Sequence, residues 1–364
     1  MREYLLTLLI AATLCYLITP FIQGLAIRWR VVAGIRDRDI HTEITPRWGG
    51  VAMWIALGLT LLIVRDLHLV GKAYGRELQG IFLAATFVVL LGALDDRFEL
   101  DAVTKLAGQG LAAGILLIHG IQILWLPING ILIIPSNIGQ LLTVLIVMVT
   151  INAVNFIDGL DGLAVGVVAI ASACFFAFSY LLAVTNGFTR AGAPSLMTVI
   201  LIGLCIGFLP HNSNPARMFM GDSGSMLLGL ILAASAITLT GQIDANALSA
   251  ESIGPALLPL FLPFAVLAIP LLDLVLAILR RTSSGKSPFA PDKLHLHHRL
   301  LASGNSQNRT AIVLYLWTAT FAIPVTVAAF APIWIAFLVA IFLAGTAFYA
   351  RKRTLDRNGN LLNV

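Results

Sequence analysis

Residues 79–101 read QGIFLAATFVVLLGALDDRFELD, an uncharged apolar stretch that runs straight into Asp95, Asp96, Arg97, Glu99 and Asp101. From Ile81 to Leu94 the only hydroxyl is that of Thr86, so neither a polar helix face nor a strand alternation is present. A segment that is apolar all round and closes on charges has the pattern of a membrane-crossing helix.

The same pattern recurs outward in both directions. Apolar runs bounded by Gly, Pro, Asn or charge clusters fall near 4–27, 49–64, 79–94, 103–119, 138–156, 163–184, 193–210, 223–241, 255–279, 310–327 and 331–350. Composition agrees, because 59% of the 364 residues are apolar and 11% are charged, against roughly 25% charged in an ordinary soluble domain. At about 20 residues per crossing, that apolar content supplies about ten or eleven spans. The expected fold is an all-α polytopic membrane protein with about eleven transmembrane helices. Soluble enzymes, secreted disulfide scaffolds and disordered chains are excluded. Cys15, Cys174 and Cys205 all lie in apolar runs, as buried thiols do. Arg2 and the run after it lack a small-x-small cleavage site, and Leu14 before Cys15 is unlike a lipoprotein signal, so 4–27 reads as a retained first span. Between the fourth and fifth runs, WLPINGILIIP places Asn129-Gly130 between short apolar segments, which predicts a small β-hairpin at the periplasmic surface.

Positive residues stay on the cytoplasmic side. With the N-terminus outside, the inner loops collect Arg28, Arg30, Arg36, Arg38, Arg47, Arg97, Lys105, Arg217, Arg280, Arg281, Lys286, Lys293, Arg299, Arg309, Arg351, Lys352, Arg353 and Arg357. The outer side keeps Arg2, Arg65, Lys72, Arg76 and Arg190. The reading is N-out and C-in, with a basic inner face suited to anionic lipids and substrates.

In that orientation four polar segments meet the cytoplasm: LDDRFELD, NAVNFIDGLDGL (152–163), NPARMFMGDSGS (214–225) and DKLHLHHRL (292–300). Each has a plain structural reading. Asp95 and Asp96 can be a solvated helix end, although the dipole disfavours acids at a C-terminus. Asn155, Asp158 and Asp161 share a face if the helix persists, but Asp-Gly twice is equally a turn. Asp222 or Ser223 is an ordinary N-cap for the eighth span. The histidine segment reads as a short helix capped by Asp292 or as a metal tract. Taken together, carboxylates in one shallow cleft repel one another unless a cation intervenes. Oxygen donors without suitable cysteines point to Mg²⁺ or Mn²⁺. Lys105, Arg217, the histidines and Arg299 around the same rim suit phosphate, so the chemistry implied is metal-assisted phosphoryl transfer.

These segments, with Lys105 nine positions after Asp96, resemble the polyprenyl-phosphate N-acetylhexosamine-1-phosphate transferases. The resemblance covers nearly the whole chain, with the motifs in the family's order. It is closer to the UDP-GlcNAc branch than to the translocase that uses UDP-MurNAc-pentapeptide. The translocase carries a Lys where this chain has Glu99 followed by Asp101, and three consecutive histidines where this chain has HLHH. The resemblance implies that UDP-GlcNAc and a polyprenyl phosphate carrier give polyprenyl-diphospho-GlcNAc and UMP at the inner (plasma) membrane, with the site facing the cytoplasm. It implies Asp222 as the principal metal ligand with Asn155 as a second, and Asp95 and Asp96 as the pair that deprotonates or orients the lipid phosphate. Asp158 and His297 join these as catalytic candidates. Lys105 and Arg217 would contact phosphate, Phe219 would stack on uracil, and Gly159, Leu160 and Asp161 would line the nucleoside pocket. His295, His297, His298 and Arg299 would read the sugar. The organisation expected is one transmembrane catalytic domain over 1–350 and a basic, irregular cytoplasmic tail over 351–364. The membrane is the expected partner, a homodimer is a compatible assembly, and nucleic acid is not expected. Two rivals fit less well. A cation-coupled transporter would need its carboxylates near the bilayer midplane, where only Asp273 lies. A CDP-alcohol phosphatidyltransferase would need Ala-Arg after its first Asp-Gly, where this chain has Leu163-Ala164.

Overall fold

The structure is a computed structural model that describes residues 1–32, 45–126, 132–185, 192–242, 265, 268–285, 300–302 and 305–357. Among the described residues it has eleven α-helices: α1 (Arg2–Arg28), α2 (Gly49–Val64), α3 (Arg76–Phe98), α4 (Ala102–Ile118), α5 (Ser136–Ile157), α6 (Leu163–Thr185), α7 (Gly192–Asn212), α8 (Gly221–Gln242), α9 (Ala268–Ser283), α10 (Gln307–Ala328) and α11 (Ile333–Arg357). Eight of them, α1, α3, α5, α6, α7, α8, α10 and α11, are long and apolar enough to cross a membrane, while α2 and α4 are shorter apolar helices. The chain is therefore a polytopic helical membrane protein. Strands β1 (Trp125–Leu126) and β2 (Leu132–Ile133) pair antiparallel, Trp125 opposite Ile133 and Leu126 opposite Leu132.

Helix α8 is the axis of the bundle, its apolar stretch buried along its whole length, and it packs on α2, α3, α5, α6 and α7. Lipid tails are as apolar as leucine, so helices in a bilayer associate by close packing rather than by the hydrophobic effect. Small residues supply that closeness here. A methyl added at Gly50 would collide with the backbone of Ser223 and Gly224, and one at Gly92 with Ser223 and Asp222. Outward faces are apolar and open, with Phe21 78% and Phe342 70% exposed, as lipid-facing side chains are. Cys15, Cys174 and Cys205 are free and buried.

One open alternative is settled and one local expectation changes. The helix after Val154 does not persist through the Asp-Gly repeats: α5 stops at Ile157 with Asp158 as its C-cap, and Gly162 takes the left-handed φ of +73°. The turn chemistry wins over the three-residue spacing. The segment expected to be an irregular tail is helical as far as Arg357, with no Gly or Pro before Gly359 to interrupt it.

Candidate active site

The C-terminus of α3, the N-terminus of α4, the end of α5 and the N-terminus of α8 converge at one end of the bundle. Asp95 and Asp96 stand in the last turn of α3, where the dipole opposes them. Each is compensated differently. The Asp95 Oδ1 accepts the Leu100 N–H at 2.7 Å, and its Oδ2 lies 2.5 Å from the Lys105 Nζ. Asp96 turns to the positive end of α8: its Oδ1 accepts the Asp222 N–H at 2.9 Å, and its Oδ2 accepts the Ser223 N–H at 3.3 Å and the Ser223 hydroxyl at 2.9 Å. A carboxylate on α3 thus does for α8 what a local N-cap does elsewhere. Gly221, at φ +71°, is what lets it approach, since a Cβ there would meet both Asp96 oxygens.

With the cap supplied from α3, the Asp222 carboxylate is released into the cleft. Its Oδ2 accepts from the Lys105 Nζ at 2.8 Å, and its Oδ1 accepts from the Asn155 Nδ2 at 3.1 Å. Asn155 also donates to the Ser225 hydroxyl at 2.8 Å. The Lys105 ammonium is therefore shared by Asp95 and Asp222. It reaches them because Gln109, one turn along α4, accepts from the Asn152 Nδ2 at 2.6 Å and fixes α4 against α5. Exposure separates the pair: the Asp222 and Lys105 side chains are 26% and 28% accessible, that of Asp95 6%. Asp158, beyond the end of α5, is pushed up to about 8, first by burial and then by the carboxylates of Asp222, Asp96 and Asp161, with Arg47 opposing the rise.

The residues expected to line a nucleoside pocket divide. Asp161 is buried, and its Oδ2 accepts the Asn214 Nδ2 at 2.9 Å and the Ala216 N–H at 3.1 Å. It ties the turn after α5 to the segment after α7. Asn214 also donates to the Gln307 Oε1 at 2.7 Å, and the Gly162 N–H to the Asn212 Oδ1 at 3.1 Å, so the start of α10 joins the same network. Leu160 is buried in the core, Gly159 and Arg217 are exposed and Phe219 is half-buried. His295, His297, His298 and Arg299 lie outside the described residues. Ser225 and Gln109 were not among the sequence candidates, while Asn214 and Ser223 entered only as polar residues of the 214–225 segment, Ser223 as a possible N-cap. Of the two missed, Ser225 carried a signal, standing three positions after Asp222 on the same helix face.

Among the described residues no three His, Cys, Asp or Glu side chains form a ready-made metal cage. The donors at the cleft are nonetheless hard oxygens on Asp222, Asn155 and Asp95. Mg²⁺ is commonly held by one or two carboxylates with substrate phosphates completing its shell, so this donor set fits such an ion.

The sequence profile of Glycosyl transferase family 4 matches residues 78–240, which contain every described carboxylate of the cleft. The chain is 41% identical to the decaprenyl-phosphate N-acetylglucosaminephosphotransferase of Mycolicibacterium smegmatis, over 88% of this chain and 81% of the relative. It is 28% identical to the undecaprenyl-phosphate alpha-N-acetylglucosaminyl 1-phosphate transferase of Salmonella typhi, over 96% and 92% of the two chains. It is also 28% identical to the phospho-N-acetylmuramoyl-pentapeptide-transferase of Desulforudis audaxviator, over 86% and 95%. With the cleft's residues inside the matched region and similarity along almost the full length of both partners, the chain belongs to glycosyl transferase family 4, the family of the polyprenyl-phosphate N-acetylglucosamine-1-phosphate transferases.

Proposed function

We propose that the protein transfers GlcNAc-1-phosphate from UDP-GlcNAc to a polyprenyl phosphate, releasing UMP, with the cleft on the cytoplasmic face of the membrane. The observation that carries the reading is the shared ammonium: Lys105 bridges Asp95 and the accessible Asp222 beside Asn155. That arrangement offers a hard-cation ligand and a phosphate-binding cation at one membrane end. In the reaction an oxygen of the lipid phosphate attacks the β-phosphorus, the bond from that phosphorus to the bridging oxygen breaks, and UMP leaves. A Mg²⁺ or Mn²⁺ held by Asp222 and Asn155 would supply charge neutralisation to the diphosphate.

The protein's own groups do the rest. Lys105 holds phosphate oxygens. Asp158, whose proton affinity burial and its acidic neighbours raise, takes the proton of the lipid phosphate. Asp95 keeps Lys105 in place, and Asp96 positions the α8 N-terminus, both its oxygens being engaged there. Phe219 stacks on uracil, while Asp161 shapes that pocket by holding the 214–216 segment. The segment from His295 to Arg299 reads the sugar, and Arg217 adds positive charge at the rim. The experiment is UMP release by purified protein given Mg²⁺, polyprenyl phosphate and a panel of UDP-GlcNAc, UDP-GalNAc and UDP-MurNAc-pentapeptide. Turnover of UDP-GlcNAc that chelator abolishes is expected. Turnover of the pentapeptide substrate alone would overturn the choice of donor, and no turnover of any donor would overturn the reaction.

A further inference from the structure

Residues 46–50 form a strip pinned from three sides. The Arg47 N–H donates to the Val31 carbonyl at 3.0 Å, and Val32 and Pro46 make an antiparallel bridge. On the other edge the Phe219 N–H donates to the Pro46 carbonyl at 2.9 Å, the Gly49 N–H to the Phe219 carbonyl at 3.1 Å, and the Gly50 N–H to the Met220 carbonyl at 3.0 Å. Beneath it, the Trp48 indole N–H donates to the Ala93 carbonyl at 3.1 Å, two residues before Asp95. Arg47 therefore has one neighbour bonded to Phe219 and the other bonded to α3 beside the acidic pair. Its side chain is half-buried. Its charge is felt at Asp158, where it opposes the rise caused by burial.

The charge balance of the cleft calls for such a group. Asp95, Asp96, Asp158 and Asp222 face one described ammonium, that of Lys105, and both substrates of the proposed reaction are anions. A planar guanidinium offers paired N–H donors that match phosphate oxygens, which a point-charge ammonium does not. The backbone pairing on both edges fixes the Arg47 backbone, so the ordering required when a phosphate arrives is confined to the side chain.

We propose that Arg47 is a phosphate-binding residue of this site, its guanidinium gripping phosphate oxygens next to Phe219. The assignment rests on the reaction proposed above. The phosphate belongs either to the nucleotide sugar or to the lipid carrier, and the two are separable. Calorimetric titration of uridine, UMP and UDP-GlcNAc into wild type, Arg47→Ala and Arg47→Lys is run beside KM measurements for each substrate. If the donor diphosphate is held, Arg47→Ala weakens UDP-GlcNAc by about 10- to 100-fold, the loss expected of a charge-assisted contact, and leaves uridine within about twofold. If the lipid phosphate is held, the KM for polyprenyl phosphate rises by a similar factor and UDP-GlcNAc binding is unchanged. In either case Arg47→Lys recovers part of the loss. Unchanged constants for both substrates would overturn the assignment. So would an equal loss of uridine and UDP-GlcNAc with a lowered unfolding temperature, which would make Arg47 a prop for the strip. Wild-type turnover, read in the same assays, tests the reaction separately: wild-type UMP release with an unaffected Arg47→Ala defeats this assignment alone.

Discussion

Asp96→Asn separates a positioning carboxylate from a chemical one. In the structure Asp96 accepts three hydrogen bonds from the start of α8, one on Oδ1 and two on Oδ2. Asparagine replaces one oxygen with an NH₂ that cannot accept, so one or two of the three are lost and the survivors lose their charge assistance. A hydrogen bond to a charged group contributes about 1.5–3 kcal/mol, and an anion at a helix N-terminus about 0.3–1 kcal/mol, up to about 2 when partly buried. Relief of the repulsion from Asp222 offsets part of this, leaving a net loss of about 2–4 kcal/mol of stability. Asp222→Asn is the control. It removes a half-exposed carboxylate while Lys105 keeps its bond to Asp95, so stability should change by less than about 1 kcal/mol while turnover falls by orders of magnitude. Thermal unfolding in detergent and UMP release at low temperature give both quantities. Asp96→Asn protein that unfolds at the wild-type midpoint yet has lost turnover would refute the argument and return Asp96 to the chemistry.

Asp158, at about 8 in the folded chain against 3.8 as an ordinary carboxyl, binds its proton more tightly when folded. Its contribution to stability is therefore present at low pH and is lost as pH rises through about 8. In chelator, the unfolding midpoint should fall as pH rises from about 5 to about 8 and level off above it, and Asp158→Asn should flatten that slope. Phe219→Ala should weaken UMP and UDP-GlcNAc alike, by about 1–3 kcal/mol on the base-stacking scale, whereas Arg299→Ala should weaken UDP-GlcNAc and spare UMP. Calorimetry of both variants checks this, and equal loss of UMP affinity would remove the sugar role from the histidine segment. A single cysteine at Lys286 should react only with reagents that enter the cytoplasm, and one at Arg190 with impermeant reagents outside; reversed labelling would overturn the orientation.

Much of the fold is legible because membrane helices declare themselves by composition. The runs near 79–94 and 163–184 correspond to α3 and α6 within a few residues at each end. Trp125–Leu126 and Leu132–Ile133 pair antiparallel on either side of Asn129-Gly130, which itself lies outside the described residues. The acidic clusters are equally legible as a set, since charge at the end of an apolar run is conspicuous. Their division of labour is not. Local pattern makes Asp222 the natural cap of its own helix, and nothing near it in sequence tells that Asp96 takes that duty instead. The strip at 46–50 is invisible for a related reason: its partners are backbone groups at Val31 and Phe219, and backbone pairing between irregular segments leaves no periodicity to read.

The bond from Asp222 to Asp96 spans 126 positions, and that interval has a meaning during synthesis. At about 5–20 residues per second, the acidic pair exists for about 6–25 s before α8 has been made. Throughout that time two carboxylates sit at the membrane end of α3 without the helix terminus that later neutralises one of them. Lys105, nine positions after Asp96, emerges almost with them, and it is the one cation of the finished cleft encoded close behind the pair. The ammonium that ends up divided between Asp95 and Asp222 is encoded early enough to pair with Asp95 across the α3–α4 hairpin before its second partner has been made. Loss of Lys105 would thus be felt in the yield of inserted protein before it is felt in turnover.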